Sequence, residues 1–358
     1  MKAIVAHPKT TDAARLIDLP EPALGPGQAL LRSLQVGVCG TDAEILAGLY
    51  GEAPSGERRL VLGHESFCRV EDVDRGVRGV APGDYVCAVV RRPDDCLNCR
   101  NGEPDMCLTG NFKERGIKGL HGFLAEYVVD DPAYLVKVPA RLKDIGVWVE
   151  PLSVVEKALA RAFAVQRYLV WQPKRAVVLG AGPIGMLAML LLRLRDIEVY
   201  VVALEREDGL KGQLAREAGA TFLSAARHPV TGLAVELGQI DLIFEATGNS
   251  TVSFQALSVL GNNGVLCLTG VSAGHRRLEV PSDALNLSMV LGNKLVFGSV
   301  NANIRDWRRA VRDLGHLQRR FPHVVSRLIT GRYAMQDFSR ALQRGQDDIK
   351  SVIHVTPP

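Results

Sequence analysis

The sequence predicts an α/β protein in two parts, a β-rich N-terminal half followed by a doubly wound parallel sheet. Three observations carry that expectation. The 358 residues are more than one small core needs. Up to about Glu150, short apolar runs are broken by Gly and Pro, the texture of an irregular β unit. From Arg175 onward, apolar runs of strand length alternate with helical patterns, as a buried parallel sheet with crossover helices requires.

The elements follow in order. MKAIVA, QALLRSLQVGV, GVRGVAPGDYVCAVV and GFLAEYVV read as strands and turns of the first half. In the second, RAVVL leads into IGMLAMLLLRLR, and EVYVVAL into LKGQLAREAG. DLIFEATG, VLCLTGVS and LVFGSVN add three more strands. In IRDWRRAVRDLGHLQRR, Trp307, Val311 and Leu314 fall at helical spacing among arginines. That pattern reads as a solvated amphipathic helix rather than a phosphate patch. SVIHVTP reads as a final strand.

Composition narrows the function. With 47% hydrophobic and 23% charged residues, disordered, collagen-like and disulfide mini-protein classes are excluded. Lys+Arg 43 against Asp+Glu 39 gives +4, too mild for a nucleic-acid binder. The charge-free run Ala176 to Leu192 holds Gly180, Gly182, Pro183 and Gly185, so strand, turn and helix are expected there rather than a membrane span. MKAIVAHPKT lacks an apolar leader core, which points to the cytoplasm. Seven cysteines, an odd count, favour metal binding or catalysis over a disulfide framework.

Within RAVVLGAGPIG, Gly180, Gly182 and Gly185 stand in G-x-G-x-x-G spacing, after an apolar strand and at the start of a helix. The first allows a tight turn, the second a close approach of a pyrophosphate, the third close helix–strand packing. The helix N-terminus offers free N–H groups to the phosphates. Glu205 ends the next strand, where a carboxylate binds both ribose hydroxyls and repels a 2′-phosphate, which favours NAD. Arg206 beside it suits the extra phosphate of NADP, so both dinucleotides stay open. A glycine-rich turn in some other α/β protein is the rival reading; the strand, the helix and the acid in sequence argue against it.

Ligand-type residues stand in the first half: Cys39 in GVCGTD, His64 and Glu65 in GHES, and Glu150 in VEPLS. Zinc takes thiolate, imidazole and carboxylate, and a catalytic site gathers them from distant stretches with one position open. A buried apolar cysteine and a surface His–Glu pair are the bland alternatives. In CLNCRNGEPDMC, the Cys96–Cys99 pair plus Cys107 suits a closed structural zinc site, with Asp94 or Asp95 available as fourth ligand. Cys68, Cys87 and Cys267 lie in apolar strand patterns and read as core.

GVCGTD (37–42), GHE (63–65), PGDYV (82–86), the Cys lobe (96–107), GAGPIG (180–185) and EATG (245–248) together resemble the zinc-dependent medium-chain dehydrogenases/reductases over the full chain. NFKERGIKGLHGF (111–123), EPLSVVEKAL (150–159) and GSVNAN (298–303) look most like microbial glucose 1-dehydrogenases. The resemblance implies a GroES-like β-rich catalytic domain at 1–155, completed by 297–358, and a Rossmann doubly wound parallel-sheet domain at 156–296. It implies catalytic zinc (Zn²⁺) at Cys39 and His64, with Glu65 and Glu150 as direct or water-bridged partners, one carboxylate moving in and out of the shell. The lobe normally carries four cysteines, and the first falls here on Pro93. Sugar-oxidising relatives carry polar residues where this chain has Val89 and Val154.

The same resemblance implies oxidation of the C1 hydroxyl of an aldose, glucose foremost, to a lactone with hydride transfer to NAD(P). Thr41, two residues past Cys39, would relay the proton, its bland reading being a turn threonine. Glu114 would accept sugar hydroxyls together with Glu150, and Asn301 would meet both nicotinamide and substrate. Glu156 would assist, or else pair with Lys157 or an arginine. Pro183, Ile184, Thr269, Gly270, Val271, Ser299, Val300 and Lys350 complete the implied cofactor contacts, Lys350 near the pyrophosphate. The expected partners are a small sugar and further copies of the chain, as a homodimer or homotetramer, with no nucleic acid and no membrane. The rivals are a zinc-dependent polyol or secondary-alcohol dehydrogenase, a zinc-free reductase on the same fold, and a non-catalytic dinucleotide-binding protein.

Overall fold

A computed structural model describes every residue except 12, 273, 344, 357 and 358. The chain forms two compact units. One comprises Met1–Ser153, Asn301–Gly315 and Ile329–Pro358; the other comprises Val154–Val300 and His316–Leu328.

The first unit is built on one large sheet. Its strands run Leu135–Lys137, Tyr85–Ala88, Glu65–Val73, Ala29–Gly37, Lys350–His354 and Ile329–Ala334, with Tyr127–Asp130 also paired to Ala29–Gly37. The C-terminal strand thereby returns to the N-terminal half, Val352 facing Gly37 and His354 facing Gln35 in antiparallel register. Buried Leu31, Val36, Phe67, Val70, Val86 and Trp148 form its interior, and Cys68 and Cys87 are buried with them. Burial pushes the Cys68 thiol up to about 12. A small sheet of Arg91–Arg92, Lys113–Arg115 and Gly119–Leu120 lies apart from the large one.

The second unit is a six-stranded parallel sheet in the order Thr221–Ser224, Glu198–Ala203, Arg175–Leu179, Leu242–Glu245, Val265–Leu268 and Leu295–Gly298. The order reverses between Arg175–Leu179 and Leu242–Glu245, and ligands of such sheets bind at the carboxyl ends of the strands at that switch. Helix Pro183–Leu194 buries every residue from Gly185 to Leu192. Each of its buried leucines contributes about 1.5–3 kcal/mol relative to exposure. Helix Ser282–Leu291 buries no residue, and the edge strand Leu295–Gly298 is largely exposed. Helix Ile304–Arg320 is amphipathic as its spacing suggests, but its buried face is Trp307, Ala310, Leu314 and Leu317, with Val311 only half-buried beside it.

Candidate metal centre and dinucleotide site

Cys39 ends the turn after strand Ala29–Gly37 and caps helix Gly40–Leu46. The Asp42 carboxylate accepts the Cys39 backbone N–H at 2.8 Å, so the thiol is presented at the start of the helix. His64 immediately precedes strand Glu65–Val73, and Glu65 is its first residue. Gly63 before them has φ +88°, and a Cβ on Gly122 would collide with the Gly63 carbonyl, so segment 111–123 backs the GHE turn closely. Ligand atoms of Cys39, His64 and Glu65 all lie within 4.8 Å of one another. Glu150 lies outside that cluster, in the first turn of helix Val149–Val165.

The electrostatics of this cluster suit a cation. Burial pulls the His64 pKa down, but the Cys39 thiol, Asp42 and Glu150 outweigh it and hold the ring well above its usual value. Burial, reinforced by the Glu65 charge, pushes Glu150 up to about 7. His64 Nδ1 and Asp42 Oδ1 are buried, 3.9 Å apart, without hydrogen-bond partners. A soft thiolate, an imidazole and a carboxylate form a donor set that fits zinc. Thr41 Oγ1 lies 3.9 Å from Cys39 Sγ.

Lys350, expected near the pyrophosphate, is buried within the first unit. Its side chain is 1% exposed, its Nζ is in ion-pair contact with Glu65 Oε2, and it donates to the Val38 carbonyl at 3.1 Å. Strand Lys350–His354 pairs with the strand that leads to Cys39, which brings this lysine to Glu65 of the Cys39–His64–Glu65 cluster.

In the lobe, Asp94, Cys96, Cys99 and Cys107 form a second cluster of four ligand atoms within 4.8 Å. Of the two aspartates open from the sequence, Asp94 is the one that joins the cysteines. Cys107 Sγ lies 3.4 Å from Asp94 Oδ2 and 3.9 Å from Cys96 Sγ. The Thr109 hydroxyl, the Cys99 thiol and the Cys96 N–H hold the Asp94 carboxyl well below the usual carboxylate range. Three thiols and a carboxylate in a loop with little core of its own fit a structural zinc.

Glu114 and Asn301 meet, Asn301 Nδ2 donating to Glu114 Oε1 at 2.8 Å. Asn301 holds φ +56°. Val89 is 2% exposed within the same unit. Glu156 lies 3.5 Å from Arg195, one of the alternatives the sequence left open, while Lys157 donates to the Val300 carbonyl at 2.8 Å.

In the second unit, Gly180 turns at φ +101°, Gly182 caps helix Pro183–Leu194, and a Cβ on Gly185 would collide with the Gly180 carbonyl. Pro183 and Ile184 form the first turn of that helix. The Thr269 hydroxyl donates to the Glu245 carbonyl at 2.7 Å, and the Gly270 N–H to the same carbonyl at 3.2 Å. The Ser299 N–H donates to the Leu268 carbonyl at 2.9 Å. Val271 and Val300 are exposed. Glu205 is in contact with the Lys211 ammonium, and Arg206 is drawn onto Asp208 at 2.6 Å. Sequence reasoning missed Asp42, Lys211 and Arg91. Each is a charge on a short or mixed segment, where nothing in the local pattern marks burial.

Residues 143–355 match the family model of the glucose dehydrogenase C-terminus, and residues 25–140 that of the alcohol dehydrogenase GroES-like domain. The chain is 40% identical to glucose 1-dehydrogenase of Methanocella arvoryzae over 99% of each chain. It is 42% identical to glucose 1-dehydrogenase 1 of Caldivirga maquilingensis, over 100% of this chain and 99% of that one. Among solved structures, glucose dehydrogenase of Haloferax mediterranei in complex with NADP, Zn and gluconolactone superposes with a TM-score of 0.92 at 34% identity, covering 100% of both chains.

Proposed function

The chain belongs to the glucose dehydrogenases of the zinc-dependent medium-chain dehydrogenase/reductase family, and from that membership we propose that it oxidises the C1 hydroxyl of glucose to the lactone with NAD(P). The observation that carries the reading is the convergence of half-buried Cys39 with buried His64 and Glu65 in one cluster. Aldose and NAD(P)⁺ give lactone, NAD(P)H and one proton; the hydride leaves C1 for the nicotinamide and the proton leaves the C1 hydroxyl.

Cys39 and His64 would hold the catalytic zinc, with Glu65 and Glu150 as exchangeable carboxylate partners. When bound, zinc supplies a Lewis acid that polarises the C1 oxygen. The Thr41 hydroxyl takes up the released proton and passes it outward. Glu114 accepts sugar hydroxyls, and Asn301 orients substrate beside it. Glu205 receives the adenosine ribose, while the turn 180–185 and the following helix N-terminus hold the pyrophosphate. With Lys211 and Arg206 beside Glu205, use of NADP as well as NAD is expected. Thr269–Val271, Ser299 and Val300 line the rest of the dinucleotide path at the strand ends. Asp94, Cys96, Cys99 and Cys107 would hold a second, structural zinc.

A second copy of the chain is the proposed partner, in a homodimer or homotetramer. Leu287, Val290 and Leu291 of helix Ser282–Leu291 and Leu295 and Val296 of the edge strand are exposed together in sequence and support pairing there. No helix among the described residues is long and apolar enough to cross a membrane. The seven cysteines are all free thiols, which supports a reducing, cytoplasmic setting. A polyol or secondary alcohol as substrate is the second reading, favoured by the apolar Val89. A spectrophotometric panel of sugars and alcohols with both dinucleotides, with and without chelator, tests the proposal. Glucose-dependent, chelator-sensitive reduction is the expected result, and turnover of alcohols alone would replace it with the second reading.

A further inference from the structure

We propose that Arg91 is a positioning residue that ties the Cys lobe to Glu114, so that the order of the lobe sets the affinity for sugar. This rests on the assignment of Glu114 to the sugar site. Arg91 and Glu114 face one another across the small antiparallel ladder of Arg91–Arg92 and Lys113–Arg115. Both are buried, at 6% and 4% exposure. Arg91 Nε donates to Glu114 Oε1 at 3.0 Å and Nη2 lies 2.9 Å from the same oxygen. With the Asn301 amide, three donors converge on Oε1, and Oε2 takes none of these bonds. A carboxylate so anchored offers one oxygen, in one orientation, to a vicinal hydroxyl.

Arg91 is itself fixed from two sides. Its guanidinium stacks 3.6 Å from the Phe112 ring centroid, and Nη1 reaches the Asp105 carbonyl at 3.4 Å. Asp105 belongs to the turn Pro104–Met106, which leads directly to Cys107. From the other side, Asn303 donates to the Gly102 carbonyl and approaches Glu103 Oε2 and Asp105 Oδ1, each at 3.3 Å. Arg305 closes the tie on Glu103 at 2.7 and 2.8 Å. The segment that carries Cys107 is therefore clamped between the arginine that aims Glu114 and the loop that presents Asn301. A planar fork is required for this arrangement; a lysine keeps the charge and loses the paired donors and the stacking.

The test measures equilibrium binding of gluconolactone to the NADP complex, with glucose KM and kcat alongside, for wild type, Arg91→Lys, Glu114→Gln and the double variant. Arg91→Lys is expected to weaken sugar binding and raise glucose KM about tenfold, with NADP affinity unchanged and kcat within about twofold. In the Glu114→Gln background the same change is expected to add nothing further. Unchanged sugar affinity in Arg91→Lys, or full additivity with Glu114→Gln, overturns the positioning role. Cys99→Ser, which removes a lobe thiol, is expected to loosen the lobe to limited proteolysis and raise glucose KM at least about threefold. A loosened lobe with unchanged sugar affinity overturns the coupling. Failure of the wild type itself to bind gluconolactone would instead remove the sugar-site assignment beneath the proposal.

Discussion

Lys350→Met tests how the Cys39–His64–Glu65 cluster is balanced. Lys350 and Glu65 are 1% and 3% exposed at the side chain, so their charges are compensated by each other rather than by water. The substitution keeps most of the volume, removes the ammonium, and deletes the 3.1 Å bond to the Val38 carbonyl. It leaves the Glu65 carboxylate buried without its partner. Breaking a desolvated pair from one side costs about 3–5 kcal/mol. At roughly 2–4 °C per kcal/mol, the chelated protein should melt at least about 6 °C lower than chelated wild type. Zinc supplies Glu65 with another cation, so the deficit should shrink when both proteins are loaded, by mass-action linkage. Differential scanning calorimetry with chelator and with zinc reads both quantities. A chelated deficit below about 1 kcal/mol, the worth of a surface pair, would refute the desolvated pairing. A deficit equal with and without zinc would refute the placement of Glu65 at the ion.

Cys39→Ser should lower kcat about 10³-fold while dinucleotide affinity stays within about twofold, since several kcal/mol of charge stabilisation are lost with the ion; paired steady-state and fluorescence titrations check it. Glu205→Ala should shift the NADP/NAD ratio of kcat/KM toward NADP by about tenfold, because a carboxylate that bonds the ribose and repels the phosphate is gone. In metal-stripped native protein, alkylation near pH 8 should label Cys107 first. Burial raises its pKa, but the Thr109 hydroxyl and the N–H groups of Thr109 and Gly110 outweigh it and bring it to about 7. Burial pushes Cys68 and Cys267 up to about 12, and they should react only on unfolding, as peptide mapping would show.

Five strands of the parallel sheet were legible because each is a short apolar run bounded by turn residues, and because helix Pro183–Leu194 is apolar on every face; the edge strand Thr221–Ser224 was not, since TFLS carries only two apolar residues. The glycines at 180, 182 and 185 announced their turn through their spacing together with the apolar strand before them, the helix after them and Glu205 beyond the next strand. In the first half the strands Lys2–Ala6, Ala29–Gly37 and Tyr85–Ala88 could be read from hydrophobic runs, but their pairing could not. Cys39, His64 and Glu65 stood out by chemical type, and only folding brings them together. The Lys350–Glu65 pair depends on a strand returning from the far end of the chain, which no local pattern records. Arg91 and Arg92 look like surface charges; a two-residue strand carries too little periodicity to reveal that both are buried. Asp94 and Asp95 are equivalent in sequence, and the turn before Cys96 selects Asp94.

The central claim is that a thiolate and an imidazole from separate turns hold the zinc on which sugar oxidation depends. Anomalous diffraction at the zinc edge from crystals of enzyme that turns over glucose tests it most directly. The account predicts a peak about 2.3 Å from Cys39 Sγ and about 2.0–2.1 Å from a ring nitrogen of His64. Active crystals with no peak between these two side chains would contradict it.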